Sequence, residues 1–231
     1  MTNVESSSVL TVANASAQAS SAMLQHLPAL ALVSEFTPAR ERVERFISQV
    51  FQASFNAKIM TYAPDLLYLE HDLRIQAALG LRWADKYPLF CEKYLEGCVL
   101  DAIGDPLLER GEVVELSNLA SMTPGAGAQL YVLAAVALDL AGCKQLVFTA
   151  NETVRRSISR GGFSARFLAD ANVEKITGAD QWGSYYQGRP QVMVADIPAS
   201  AQIIRSNPLV TPLLNVAMPA MRQFALAWKQ A

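Results

Sequence analysis

The sequence predicts an α/β domain with a mixed central sheet and helices on both of its faces, and three observations predict it. Two short apolar runs, residues 66–70 and 75–83, are separated by the polar quartet His71-Asp72-Leu73-Arg74, the pattern of a β-hairpin. Beyond that hairpin, strand-like apolar runs alternate with segments of helical periodicity. Finally, 52% of the 231 residues are hydrophobic and 17% charged, which gives one domain enough apolar surface for a full core.

The elements follow in order. Residues 1–21 are rich in Ser, Ala and Asn, have little to bury, and read as a flexible N-terminal tail. The apolar run 22–36 contains Pro28, so its period does not decide between a short helix and a strand, and it is expected at the edge of the domain. A helix opens at Pro38 with Thr37 as its cap, because Val43, Phe46, Ile47, Val50 and Phe51 recur at helical spacing. Residues 88–98 read as helical or irregular, and 112–119 as a strand. Residues 126–141 read as an apolar helix stopped by Gly142, followed by a buried strand over 144–150. A short helix at 153–160 runs into Gly161-Gly162, and the last strand, 191–197, is closed by Pro198. The stretch 208–230 is helical in period, with breaks at Pro212 and Pro219. The expected division is a tail (1–21), a catalytic-type domain (22–198) and a C-terminal helical extension (199–231).

Nineteen Lys and Arg against 21 Asp and Glu leave no basic footprint for a phosphate backbone, so nucleic acid is not an expected partner. Cys91, Cys98 and Cys143 form no CxxC pair, which fits reduced thiols in the cytoplasm better than a disulfide framework. No Lys or Arg precedes Arg40, so a secretory signal is not expected, and no apolar run reaches the ~20 residues of a transmembrane segment. His26 and His71 are too few and too far apart to hold a metal.

Chemistry concentrates between the strand at 112–119 and the apolar helix. Ser121-Met122-Thr123-Pro124-Gly125-Ala126-Gly127-Ala128 places two glycines where a helix start directs unpaired N–H groups outward, an anion cradle. This context resembles the GNAT acyltransferase superfamily, in which a strand precedes R/Q-x-x-G-x-G/A at the start of a helix and backbone amides hold the pyrophosphate of coenzyme A. Gly125 and Gly127 match, while Met122 stands at the Arg or Gln position. That departure brings in a second donor, the phosphopantetheine arm of an acyl carrier protein, which carries one phosphate. The strand 146–150, Asn151, a short helix and Gly162-Phe163 are similar to the N…GF segment of the same superfamily.

A closer resemblance, over about residues 42–197, is to the thermostable hemolysin family. It rests on Pro64-Asp65-Leu66-Leu67, Gly80-Leu81-Arg82-Trp83-Ala84, Leu89-Phe90-Cys91-Glu92-Lys93-Tyr94-Leu95, Val114-Glu115-Leu116-Ser117-Asn118-Leu119-Ala120, Val147-Phe148-Thr149-Ala150 and Trp182-Gly183-Ser184-Tyr185-Tyr186. The family more often has Leu at Cys91 and Gly at Ser117. The chain is more distantly similar to acyl-homoserine-lactone synthases, with Arg82 in the hairpin strand and Glu115 before the cofactor loop. Asn118 replaces an Arg expected after that Glu, so the lactone product is not implied.

These resemblances imply a GNAT-like, splayed sheet whose cleft holds an acyl thioester, acyl-CoA or acyl-phosphopantetheine, beside an amine. The implied thioester contacts are Leu119, Ala120, Ser121, Met122, Gly125, Ala126, Gly127 and Asn151, and the implied acceptor contacts are Arg82, Asn118 and Trp182. Strand alternation puts Val113, Glu115 and Ser117 on one face and Val114, Leu116 and Asn118 on the other. Glu115 then reads equally as a general base or as a structural partner of Arg82, and Arg82 equally as a substrate anchor or as that partner. Tyr185 and Tyr186 are candidates for the phenol that protonates a leaving thiolate, against plain packing with Trp182. Cys91 reads as a buried small hydrophobe, and Glu92 as an exposed helix residue or an N-terminal partner.

The functional expectation is an N-acyltransferase moving an acyl group from coenzyme A or acyl carrier protein to the amine of an amino-acid-like metabolite, with no metal. Two other readings stand beside it: a membrane-active haemolysin, motivated by the apolar residues after Pro198, and a non-catalytic thioester-binding module, motivated by Met122. A homodimer is compatible with either an enzyme or a module.

Overall fold

The computed structural model describes residues 28–35, 37–161 and 163–230. The stretch read as a tail, residues 1–21, lies outside them. Seven strands form one sheet: β1 (Ala29–Val33), β2 (Asp65–His71), β3 (Arg74–Trp83), β4 (Val113–Ser121), β5 (Gln145–Ala150), β6 (Ala165–Asp170) and β7 (Gln191–Asp196), in the spatial order β1-β2-β3-β4-β5-β7-β6. Among the described residues only β4 and β5 run parallel; every other neighbouring pair is antiparallel. The ambiguous early run resolves into the edge strand β1. The β2–β3 hairpin turns on Asp72 and Leu73, both at positive φ (48° and 61°), as a two-residue turn matched to strand twist requires.

Helices cover both faces. On one, α1 (Arg40–Phe55) buries Val43, Phe46, Ile47 and Phe51 against Leu66, Tyr68, Ala78 and Ala120 of the sheet. Thr37 does not cap it: its hydroxyl accepts instead from the Ser34 amide, at 3.2 Å, and the cap position is Ala39. On that same face, α2 (Val99–Ile103) and the turn around Cys91 cover Val113, Val147, Val192 and Val194.

The opposite face carries α3 (Ala126–Ala141), α5 (Ile197–Ser206) and α6 (Thr211–Gln230), with α4 (Glu152–Arg160) following β5. α3 is apolar all round because it is covered all round, by the sheet beneath and by α5 and α6 above. Gly142, at φ 92°, ends it by taking the left-handed conformation that closes a helix.

Three prolines act differently from their expected roles. Pro198 opens α5 instead of closing the strand, because a proline in the first helical turn has no amide to lose and Asp196 accepts the Ala199 N–H as the cap. Pro212 sits in the first turn of α6, where the same tolerance applies, and Pro219 lies inside a helix that continues through it. Tertiary packing supports that helix: Leu213, Leu214, Met221 and Trp228 are buried, and the Trp228 indole N–H donates to Asp65 at 3.1 Å. Of the apolar residues that motivated a membrane-active tail, Leu213, Leu214, Met221 and Trp228 are therefore part of the core, while Ile203, Leu209 and Leu226 remain exposed. Among the described residues no helix is long and apolar enough to cross a membrane.

Strand β6 was not anticipated. It is the outermost strand, with Arg166 and Phe167 exposed, so it lacks the apolar alternation that marks a half-buried strand.

Candidate active site

The central pair of strands builds the site. β4 and β5 pair from Val113–Gln145 to Leu116–Phe148 and then part, while β4 runs on to Ser121 and β5 to Ala150. On its other side β4 carries a bulge: Gly80 faces Ser117 and Ala78 faces Ala120, so Asn118 and Leu119 together oppose only Leu79. Asn118 takes φ 51° there, which breaks the strand alternation. Its side chain therefore turns to the Glu115 face, against expectation, and its Oδ1 accepts from the Ser117 hydroxyl (3.1 Å) and the Ala63 amide (3.2 Å). Gly80 is what lets the bulge close, since a Cβ there would stand 2.6 Å from the Ala63 Cβ and 3.0 Å from Asn118 Oδ1.

A cleft follows this parting of strands. Its outer mouth is lined by Ser121, Met122, Gly125, Gly127, Asn151 and Tyr131. Its middle passes between Leu119 and Ala150, and its inner end is floored by Arg82, Glu115, Ser117, Asn118 and Thr149. Trp182 and Tyr185 roof the inner end together with Phe51 and Phe90. Arg82, Glu115, Asn118, Trp182 and Tyr185 thus line one cavity, Asn118 only because the bulge turns it there. Three other named residues do not line the cleft: Ala120 lies under α1, Ala126 lies in the main core, and Tyr186 sits behind Tyr185 with its hydroxyl hydrogen-bonded to that of Tyr94.

At the mouth, Gly125 takes φ 81° with nothing within 4 Å of where a Cβ would be, and it opens α3. The Ala126 amide is held by the Thr123 carbonyl at 3.1 Å, and the helix supplies no acceptor for the amides of Gly127 and Ala128. A second helix end meets the same mouth: Asn151 caps α4, accepting the Val154 N–H at 3.0 Å. Two helix N-termini with their partial positive charge fit the phosphate end of a coenzyme A or phosphopantetheine thioester. The Met122 side chain is 70% exposed beside them and adds no charge.

Glu115 is the buried charge of the inner end, 2% exposed. Its two oxygens accept the Phe90 and Cys91 amides, each at 2.7 Å, and Arg82 Nη1 stands 3.5 Å from Oε2. Burial raises its pKa above the usual carboxylate range, while the two amides and Arg82 pull the other way. The Tyr185 phenol is pushed up by burial and then by Tyr186, so it stays protonated at neutral pH, and it donates to the Thr149 carbonyl at 3.4 Å. Cys91 is fully buried, with burial and then Glu115 pushing its thiol well up, which excludes a reactive thiolate.

Glu92 is half-buried and structural: it accepts from the Leu89 and Val99 amides and pairs with Arg110 at 2.7 Å. Sequence reasoning missed Phe51, Phe90, Tyr94, Ser117 and Thr149, all of which line the inner end. For the aromatics no local signal existed, because they arrive from separate elements.

An open mixed sheet parted between β4 and β5, with a bulge in β4 and a glycine-opened helix after it, is the GNAT-like fold of the acyl-homoserine-lactone synthases. TofI, solved in a ternary complex with an inhibitor and MTA, shares it at a TM-score of 0.54 and 14% identity, over 78% of this chain and 98% of that one. BjaI, a CoA-dependent acyl-homoserine lactone synthase solved with SAM and isopentyl-CoA, gives 0.54 and 12% over 78% and 87%. The AHL synthase LasI gives 0.51 and 11% over 76% and 92%. At such identities the likeness is one of fold. The chain belongs to the thermostable hemolysin family, whose model matches residues 33–201. No curated protein matches it in sequence.

Proposed function

We propose that this protein is an N-acyltransferase that moves an acyl group from a coenzyme A or carrier-protein thioester to the amine of an amino-acid-like metabolite. The observation that carries the reading is a series of three pockets that share walls, running from two helix N-termini, past the parting of β4 and β5, to a buried carboxylate and a guanidinium. The phosphate end binds at the Gly125–Gly127 helix start and at Asn151, and the pantetheine arm lies along the edge of β4. The bulge at Asn118 and Leu119 leaves strand backbone unpaired beside the thioester carbonyl, where an N–H polarises it. Glu115 accepts a proton from the attacking ammonium, which its raised pKa suits, and Tyr185 returns one to the departing thiolate.

The test incubates the purified protein with a panel of acyl-CoA and acyl-carrier thioesters and pooled amines, followed by mass spectrometry. An N-acyl amide from any pair supports the reading. Thioester retention without turnover would favour a binding module, and absence of both would reject the assignment of this cleft.

A further inference from the structure

At the inner end of the cleft, five aromatic rings from three separate segments form one arc above the polar floor. Along the series Phe51, Tyr185, Trp182, Phe90, Tyr94, successive centroids are 6.4, 5.4, 5.8 and 5.8 Å apart. All five line the same cavity as Arg82 and Glu115. The floor beneath them is under-used. A guanidinium has five N–H donors in a fixed fork, yet among the described residues Arg82 contacts only Glu115, at 3.5 Å, with its side chain 17% exposed. Elsewhere on the lining of the same cavity, the Thr149 hydroxyl is buried with no partner among the described residues. A fork of free donors on the floor of an aromatic-roofed cavity calls for an anionic group with a bulky apolar body attached.

We infer that the acceptor is an α-amino acid with a free carboxylate and a large apolar, preferably aromatic, side chain. This rests on the reading of the cleft as an acyl-transfer site. The carboxylate occupies the free donors of Arg82, the amine stands beside Glu115, and the side chain packs under the arc. The ammonium loses one proton to Glu115, and its nitrogen lone pair attacks the thioester carbonyl. The N–C bond forms, the C–S bond breaks with its electron pair on sulfur, Tyr185 gives its proton to that sulfur, and the second amine proton restores the Tyr185 phenol. Amide, thiol and one released proton are the products.

The test gives the full-length protein one acyl thioester and separate acceptors, and measures kcat/KM for each. Phenylalanine and leucine are expected to exceed glycine and aspartate by at least about tenfold, and phenylalanine to exceed phenethylamine, which lacks the carboxylate, by at least about tenfold. Arg82→Gln should close the gap between phenylalanine and phenethylamine. Acyl transfer that ignores the carboxylate or the side chain overturns this inference and leaves N-acyl transfer standing. Transfer to no amine at all overturns both. A Trp182→Ala variant that changes acyl-chain-length preference but not acceptor preference would give the arc to the acyl chain, and would also overturn the inference.

Discussion

Replacing Glu115 by Gln removes the one buried acidic group of the cleft floor, and the structure sets what that costs. Both carboxylate oxygens accept backbone amides at 2.7 Å, whereas Gln offers one acceptor oxygen and one NH2 donor. One of the Phe90 and Cys91 amides therefore loses its acceptor and meets a donor, and Arg82 loses its only ion-pair partner among the described residues. An orphaned buried donor costs about 1–3 kcal/mol, which for a chain of this size lowers Tm by roughly 2–12 °C. The variant should still fold and bind thioester. Turnover should fall by ~10²–10⁴, the range for a lost general base, with the remaining rate recovering as pH rises and the amine loses its proton unaided. The assay pairs thermal unfolding with initial rates from pH 6 to 10. Because burial raises the Glu115 pKa in the folded state, its proton contributes stability that is present below the ordinary glutamate value of 4.5 and lost as pH rises through the folded pKa. Glu115→Gln should flatten that part of the stability profile. A folded variant with full turnover at neutral pH would refute the role of Glu115 and leave it a structural anchor of the turn at 90–91.

Three further outcomes follow from the geometry. Gly127→Val puts a branched side chain where even a Cβ would lie 3.3 Å from the Ser121 Cβ, at the mouth of the cleft, so calorimetric titration should show thioester affinity falling by more than stability does. Because Met122 offers no charge for a pyrophosphate, acyl-carrier thioesters should match or exceed acyl-CoA in kcat/KM with the same acyl group; a strong preference for coenzyme A would reject the single-phosphate argument. Gly183→Ala should cost about 3 kcal/mol, since φ is 51° and a Cβ would stand 2.1 Å from the Phe55 carbonyl oxygen, and denaturant unfolding should reveal it.

The course of the sheet was legible where residue type and period agreed. The hairpin, α1, the 126–141 helix with Gly142, and β5 read directly, because each has its own apolar pattern and terminator. β6 did not, because an exposed edge strand carries no such pattern. The prolines misled because Pro198 marks a helix start as readily as a strand end, and Pro219 is tolerated once Met221 and Trp228 are buried beyond it. At the site, Glu115 and Arg82 were visible as charges in apolar strands, and they face each other in register. The turn of Asn118 to their face was not, since a bulge is a property of the pairing and not of the strand. The capture of Glu115 by the amides of Phe90 and Cys91 was equally hidden, because it depends on where a distant turn packs.

The central claim is that the cleft couples a thioester to an amine, and the most direct measurement is the stoichiometry of thiol release with and without acceptor, using catalytic amounts of protein and counting amide by mass spectrometry. Thiol release should require the amine and match amide formation one to one. Thiol release that is indifferent to the amine, with free acid as the product, would contradict it.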